Sequence, residues 1–186
     1  MEPVIRKARL EDAPGIARVH VDSWRTTYTG LIADEFLAQL SYERREQAWM
    51  QTLSDPTLDQ FQYVATDEAG QVCGFVCGGP ERGNGPDHDS EVYAIYLLQS
   101  AQGQGFGRRL LQVAAGELLE RGCLAMLLWV LKDNQPARRF YEAVGGEVVR
   151  EKAIEIGGQN LVEVAYRWKD LHILTDKKEQ YVAPIH

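Results

Sequence analysis

This chain is short of cysteine, of basic residues and of long apolar runs, and each shortage removes a class of protein. Its three cysteines, Cys73, Cys77 and Cys123, are an odd number without zinc-ligand spacing. Neither a disulfide framework nor a structural metal is expected, and a reducing cytoplasm is the expected setting. The histidines, His20, His88, His172 and His186, are scattered and add no ligand spacing. The apolar run Leu124–Leu131 is eight residues, far below the roughly 20 needed to cross a bilayer. The first residues, Met1-Glu2-Pro3-Val4-Ile5-Arg6, lack the apolar stretch of a secretory signal. Acidic residues outnumber basic ones 27 to 20, a net charge of −7. That balance disfavours general binding to nucleic acid or to an anionic membrane. No internal repeat, low-complexity tract or linker stands out. What remains is ordinary globular composition, 45% hydrophobic and 25% charged over 186 residues. That is one domain's worth of chain, able to bury roughly 70% of its unfolded surface without a staple.

Residue patterning supplies the elements. Residues 3–10 alternate weakly, as a strand does. Asp12 and Pro14 mark a helix start, as cap and first-turn proline, and Ile16, Val19, His20 and Trp24 follow at helical spacing. Asp34 and Ser41 are cap candidates for two short helices, 35–40 and 42–53. Phe61–Thr66 and Val72–Gly78 read as a hairpin closed by Asp67-Glu68-Ala69-Gly70. Period-two alternation places Cys73 and Cys77 on one face of its second strand, as small packing residues. Gly79–Asp89 reads as a loop, Glu91–Leu98 as a strand, and 105–121 as a helix with Leu110, Leu111, Ala114 and Leu118 on one side. Leu124–Leu131 is apolar without alternation, which suits a strand buried on both faces. Ala137, Phe140, Tyr141 and Val144 fit a helix over 134–144, ended by Gly145-Gly146. Two strands, 147–156 and 160–168, follow. The order predicts an α+β fold: a mixed, mostly antiparallel central sheet with one parallel β-α-β crossover and flanking helices. The expected domain is 1–169, with 170–186 a C-terminal extension, either a packed arm or a tail.

The most informative stretch is Gln102-Gly103-Gln104-Gly105-Phe106-Gly107-Arg108, where a strand feeds a glycine-rich turn that opens a helix. Glycines let backbone N–H groups approach an anion, and a helix N-terminus adds partial positive charge, so the geometry suits a pyrophosphate. It is not a P-loop, because no lysine follows Gly107, and that argues against an ATP enzyme. Nor is it a dinucleotide fingerprint, because the spacing is G-x-G-x-G, late in the chain and after a β-meander. The segment resembles the acetyl-CoA pyrophosphate loop of the GNAT N-acetyltransferase superfamily, Arg/Gln-x-x-Gly-x-Gly/Ala. The likeness extends to the strand Glu91–Leu97 before it. It extends also to Asn134-Gln135-Pro136-Ala137 through Tyr141 to Gly145-Gly146, similar to the family's Asn-x-x-Ala-x-x-x-Tyr-x-x-x-Gly-Phe. Gly146 departs from the usual phenylalanine, which touches packing more than chemistry, and Gln99-Ser100-Ala101 departs from the usual Pro-x-x. The resemblance implies a GNAT-like sheet across about 1–169 and acetyl-CoA as cosubstrate. It implies a cofactor set of Leu97, Gln102, Gly103, Gln104, Gly105, Phe106, Gly107, Arg108 and Asn134, with the pyrophosphate on the N–H groups from Gly103 to Arg108. Arg108, Arg109, Lys132, Arg138 and Arg139 concentrate positive charge nearby.

Moving acetyl from a thioester to an amine needs attack geometry, an oxyanion donor, a base for the ammonium proton and an acid for the departing thiolate. The resemblance implies the Leu97 backbone as donor and Tyr141 as acid. Asn134 and Tyr141, two helical turns apart, project to one side, yet Tyr141 also belongs to the apolar stripe with Ala137 and Val144. Glu91 is the expected base, acting through a water. Alternation would put 91, 93, 95 and 97 on one strand face, and a salt-bridged edge carboxylate is the competing role. Trp129 occupies the position of the base in some relatives and cannot accept a proton. Trp24, Tyr28 and Tyr93 are expected to wall the acceptor site, with plain packing as the alternative. The expected activity is acetyl-CoA-dependent N-acetyl transfer in a ternary complex. The acceptor would be a small-molecule amine, with a protein amine second. The competing reading is a non-catalytic acyl-CoA-binding or regulatory module on the same fold. A homodimer that exchanges residues 173–185 as an arm is a further expectation.

Overall fold

The structure is a computed structural model and describes residues 4–83 and 90–175. Part of the 79–89 loop and most of the expected extension and exchanged arm lie outside the described residues. The strands are β1 (Val4–Lys7), β2 (Phe61–Thr66), β3 (Val72–Gly79), β4 (Glu91–Leu97), β5 (Met126–Leu131), β6 (Glu147–Ile156) and β7 (Gln159–Trp168). The helices are α1 (Ala13–Thr27), α2 (Asp34–Ala38), α3 (Tyr42–Ser54), α4 (Phe106–Glu120), α5 (Gln135–Ala143) and α6 (His172–Thr175). The described strands form a 7-stranded sheet in the order β1-β2-β3-β4-β5-β7-β6. Every neighbouring pair is antiparallel except β4 and β5, which run parallel around the crossover helix α4. This is the expected fold class.

Each face of the sheet buries one helical layer. Leu110, Leu111, Ala114 and Leu118 of α4 pack on Val76, Val92, Met126 and Tyr166. Leu171 and Leu174, from the expected extension, are buried in this same core. On the other face Ile16, Val19 and Trp49 of α1 and α3 cover Val64, Phe75 and Cys77. Burying such side chains contributes about 1.5–3 kcal/mol each relative to leaving them in water. β5 is buried along nearly its whole length, as its unalternating apolar run requires.

Several local expectations are corrected. Asp12 does not cap α1: its carboxylate takes the Arg6 guanidinium bidentately at 2.7 and 2.8 Å and the Arg9 N–H at 2.7 Å. A charge-assisted fork outcompetes a neutral cap bond, so Asp12 ties β1 to the helix start instead. Asp34 falls in the first turn of α2, with Ala33 at the cap position. Ser41 does cap α3, accepting from Arg44 N at 3.2 Å. Cys73 and Cys77 do not share a face. Ala65 pairs with Gly74 and Thr66 with Val72, so Cys73 is the extra residue of a bulge and joins the α4-side core, while Cys77 joins the α1 side. The departure at Gly146 is compensated, since a Cβ there would sit 2.7 Å from the Trp168 ring. Trp168 fills that space, fully buried, and donates from Nε1 to the Val144 carbonyl at 2.9 Å.

Candidate active site

The parallel pair closes over only two positions, Glu91 with Leu127 and Val92 with Leu128. Beyond them β4 and β5 diverge. Leu98 N–H donates to the Cys73 carbonyl at 2.9 Å, and antiparallel alternation therefore turns the backbone groups of Leu97 and Ile95 away from β3 and toward the gap. The Leu97 carbonyl accepts from Ser23 Oγ at 3.0 Å and from Gln102 Nε2 at 3.4 Å. A cavity of about 630 Å³ fills the split.

The glycine turn sits at one end of that cavity. Gly103 and Gly105 have φ of 73° and 82°, the left-handed region that a side chain would strain. The turn leads into α4, and no described group accepts from the N–H of any residue from Gly103 to Arg108. Unpaired amides in sequence, with two glycines turning them, make an anion cradle backed by a 15-residue helix. Gln102, Gly103, Gly105, Gly107 and Arg108 line the cavity. Gln104 and Phe106 offer only backbone, because Gln104 Nε2 donates to the Ser100 carbonyl at 2.7 Å and Phe106 points into the core. A Cβ on Gly107 would lie 3.3 Å from Phe140, so this glycine lets α4 approach α5.

Asn134 and Tyr141 both line the same cavity, as their two-turn spacing predicts. Asn134 Oδ1 caps α5 by accepting from Ala137 N at 3.3 Å. The Tyr141 ring packs on Phe140, Tyr166 and Trp168 with centroids 5.4, 5.6 and 6.1 Å apart. No described group bonds its hydroxyl, and burial pushes its phenol well above the ordinary value. Core and cavity roles coincide here, because the ring belongs to the apolar stripe while the residue faces the split.

A second cavity, of about 750 Å³, meets the first where Tyr28, Tyr93, Tyr96, Trp129 and Val130 line both. Glu91 lies in this second space, and the expected face pattern of β4 is corrected. Cys77 pairs with Ala94 and Gly78 with Val92, so Tyr93 is the extra residue of a second bulge. Val92 then faces α4 with Ile95 and Leu97, while Tyr93, Ala94 and Tyr96 face α1. Glu91, one residue from Val92, shares the α1 side with Tyr96 rather than with Leu97. Gly78 and Gly79 permit the bulge: a Cβ on Gly78 would lie 2.5 Å from the Glu91 carbonyl, and one on Gly79 would lie 2.9 Å from the Tyr93 hydroxyl.

The Glu91 side chain is 4% exposed and takes Arg82 twice, from Nη2 at 2.6 Å and from the backbone N–H at 3.0 Å. The Arg82 guanidinium lies 4.0 Å over the Tyr93 ring, and Tyr93 donates to the Pro80 carbonyl at 2.6 Å. Trp24 and Tyr28 stack edge-on at 5.0 Å and line the second cavity. Burial raises the phenols of Tyr28 and Tyr96. Sequence reading missed the remaining charged lining, Glu81, Arg150, Glu151, Lys152 and Glu163. Arg150 and Lys152 lie 5.4 and 3.9 Å from the Trp129 ring centre. The pairing of β7 with β5 and of β6 with β7 brings Arg150, Lys152 and Glu163 here, so no local pattern announces them.

The sequence matches the Acetyltransferase (GNAT) family over residues 19–145. It is 44% identical over 170 residues to an uncharacterized N-acetyltransferase of Bacillus subtilis, covering 91% of this chain and 95% of that protein. Two solved structures share the fold at low identity. One is the PaiA N-acetyltransferase of Thermoplasma acidophilum in complex with coenzyme A, with a TM-score of 0.70 and 22% identity, over 90% of this chain and 100% of that one. The other is an acetyltransferase of Salmonella typhimurium with acetyl-CoA, with a TM-score of 0.68 and 19% identity, over 100% and 99%.

Proposed function

This chain belongs to the GNAT acetyltransferase family, and on that premise we propose that it transfers acetyl from acetyl-CoA to a primary amine by direct attack in a ternary complex. The observation that supports this reading best is the continuity of the two cavities. An anion cradle at the end of one communicates, through the β4–β5 split, with a carboxylate-bearing space in the other. The fit of the cosubstrate rests on the chain's own unpaired groups. The amides from Gly103 to Arg108 hold the pyrophosphate, and the free edge of β4 at Leu97 holds the pantetheine arm as a strand would. Asn134 adds a polar contact beside it. Acetyl-CoA supplies an acyl group already activated as a thioester.

The residues then divide the work. The Leu97 edge orients the carbonyl and offers an N–H to its oxygen. Glu91 removes the ammonium proton through a water, since an alkyl amine with a pKa near ~10.4 is mostly protonated at neutral pH. Tyr141, kept protonated by burial, gives its proton to the departing sulfur. Trp24, Tyr28 and Tyr93 exclude bulk water and position the acceptor. Arg82 fixes the Glu91 carboxylate and lets one orientation persist. That same double engagement of Glu91 is what a non-catalytic acyl-CoA-binding module would rest on. Calorimetry with acetyl-CoA followed by thiol release over an amine panel separates the two. Micromolar binding with turnover supports the transferase. Binding without turnover on small or peptide amines supports the binding module, and no binding overturns both.

A further inference from the structure

We propose that the acceptor carries a second ammonium group and that Glu81 is the residue that receives it, so that the preferred substrates are diamines or longer. This deepens the transferase reading above and rests on it. Glu81 lines the second cavity, with a side chain only 4% exposed. One carboxylate oxygen accepts from Arg150 Nη2 at 2.6 Å, and the other, Oε2, is buried without a partner among the described residues. Buried carboxylate oxygens are ordinarily satisfied, because an unmade bond leaves the desolvation cost unrecovered. Arg150 Nε is also unpartnered, so the two groups have not closed into the bidentate fork they could form. Oε2 is thus left for a donor that the described residues do not supply.

The surroundings identify the donor as cationic. Both oxygens of Glu91 in the same cavity are engaged by Arg82, so Glu81 holds the open acceptor of the pair. Among the charged residues lining the cavity, Glu91 pairs with Arg82, Glu81 with Arg150 and Glu163 with Lys152, while Glu151 pairs with Lys132, so each lining cation is already matched by a carboxylate and none is left over to repel an incoming ammonium. The same cavity is lined by the aromatic rings of Trp24, Tyr28 and Tyr96, and aromatic faces attract ammonium groups. An acceptor placing its reacting amine on the Glu91 side and a second ammonium beside Glu81 satisfies the open Oε2.

The test compares a straight-chain diamine with the monoamine of equal length, using the full chain saturated with acetyl-CoA for turnover and with CoA for calorimetry. The diamine is expected to be favoured by roughly tenfold to a hundredfold in kcat/KM, mainly through KM, the scale of one charge-assisted bond. Glu81→Gln is expected to reduce that preference to near unity and to leave monoamine turnover within about twofold. Arg150→Gln is the control, because it breaks the same pair yet frees a second Glu81 oxygen, so the preference should persist or grow. The proposal is overturned by equal use and equal binding of diamine and monoamine, by a preference that survives Glu81→Gln, or by Arg150→Gln reproducing the loss. Diamine binding without turnover on any amine would refute the transferase reading and leave the Glu81 site standing.

Discussion

Replacing Tyr141 with phenylalanine separates catalysis from packing more cleanly than any other change in this site. The three ring contacts, at 5.4, 5.6 and 6.1 Å, survive the substitution. The lost hydroxyl has no partner among the described residues, so nothing is orphaned and stability should change by less than about 1 kcal/mol. Acetyl-CoA affinity should hold, since the pyrophosphate amides and the β4 edge are untouched. The proton for the departing sulfur is gone, and a positioned general acid contributes roughly a hundredfold or more. A hundredfold loss in kcat corresponds to about 2.7 kcal/mol of transition-state stabilisation. Steady-state thiol release gives kcat, calorimetry gives the acetyl-CoA Kd, and urea unfolding gives stability. The pH dependence adds a second check. Burial raises the phenol above its ordinary value of 10.0, so it stays protonated through the working range, and the ratio of wild type to variant should be flat from about pH 6 to 9. A kcat within about threefold of wild type at unchanged Kd would refute the assignment, as would a ratio that collapses with rising pH.

Glu91→Gln keeps the shape, leaves one of the two oxygens that accept from Arg82, and on the proposed reading removes the base, so kcat should fall roughly a hundredfold while the acetyl-CoA Kd stays within twofold; unaltered turnover on all amines removes Glu91 from the mechanism. Gly105→Ala meets no atom within 4 Å, but its φ of 82° costs about 1–2 kcal/mol for a side chain, so acetyl-CoA should bind roughly tenfold more weakly or the domain should lose about that stability. Gly116→Ala, inside α4 with equally open space, should instead add about 0.5–1 kcal/mol with unchanged affinity; melting curves and calorimetry on both variants check the contrast. His20 is enclosed by Trp24, Trp49, Phe75 and Tyr96, and burial, with Arg45 second, lowers its pKa from 6.5 to about 3. The unfolded chain therefore binds a proton that the folded chain refuses, and stability falls as pH drops from about 6.5 toward 3, by about 2–3 kcal/mol at pH 4.5. His20→Phe should lose less stability between pH 7 and 4.5 in urea titrations, and an equal loss would contradict the burial argument.

What could be read in advance follows from the range of the forces involved. The strands, the crossover and the glycine turn are legible because period, caps and glycine conformation are local. Ser41 caps as its position predicts, and Asn134 and Tyr141 line one cavity because helical spacing fixes their direction. The bulges at Cys73 and Tyr93 are not legible, since each depends on which residue of the neighbouring strand pairs opposite. One extra residue puts Glu91 and Leu97 on opposite faces where alternation alone puts them on one. Asp12 was misassigned for a related reason: its partner Arg6 belongs to a strand, and the pairing depends on how that strand meets α1. Arg150 is 69 residues from Glu81, a separation over which no sequence pattern operates.

The two-position closure between β4 and β5 has a mechanical consequence. The sheet is two leaves, β1 through β4 and β5 with β7 and β6, joined by a seam as short as a clasp. The α4 layer straddles the seam, packing on Val76 and Val92 of one leaf and on Met126 and Tyr166 of the other, and so sets the angle between them. On the proposed reading, the pantetheine arm enters that angle as a spacer and completes the row of backbone bonds that the strands leave open. The cosubstrate thus acts as a removable part of the sheet, and its departure as free CoA restores the gap through which the next molecule enters.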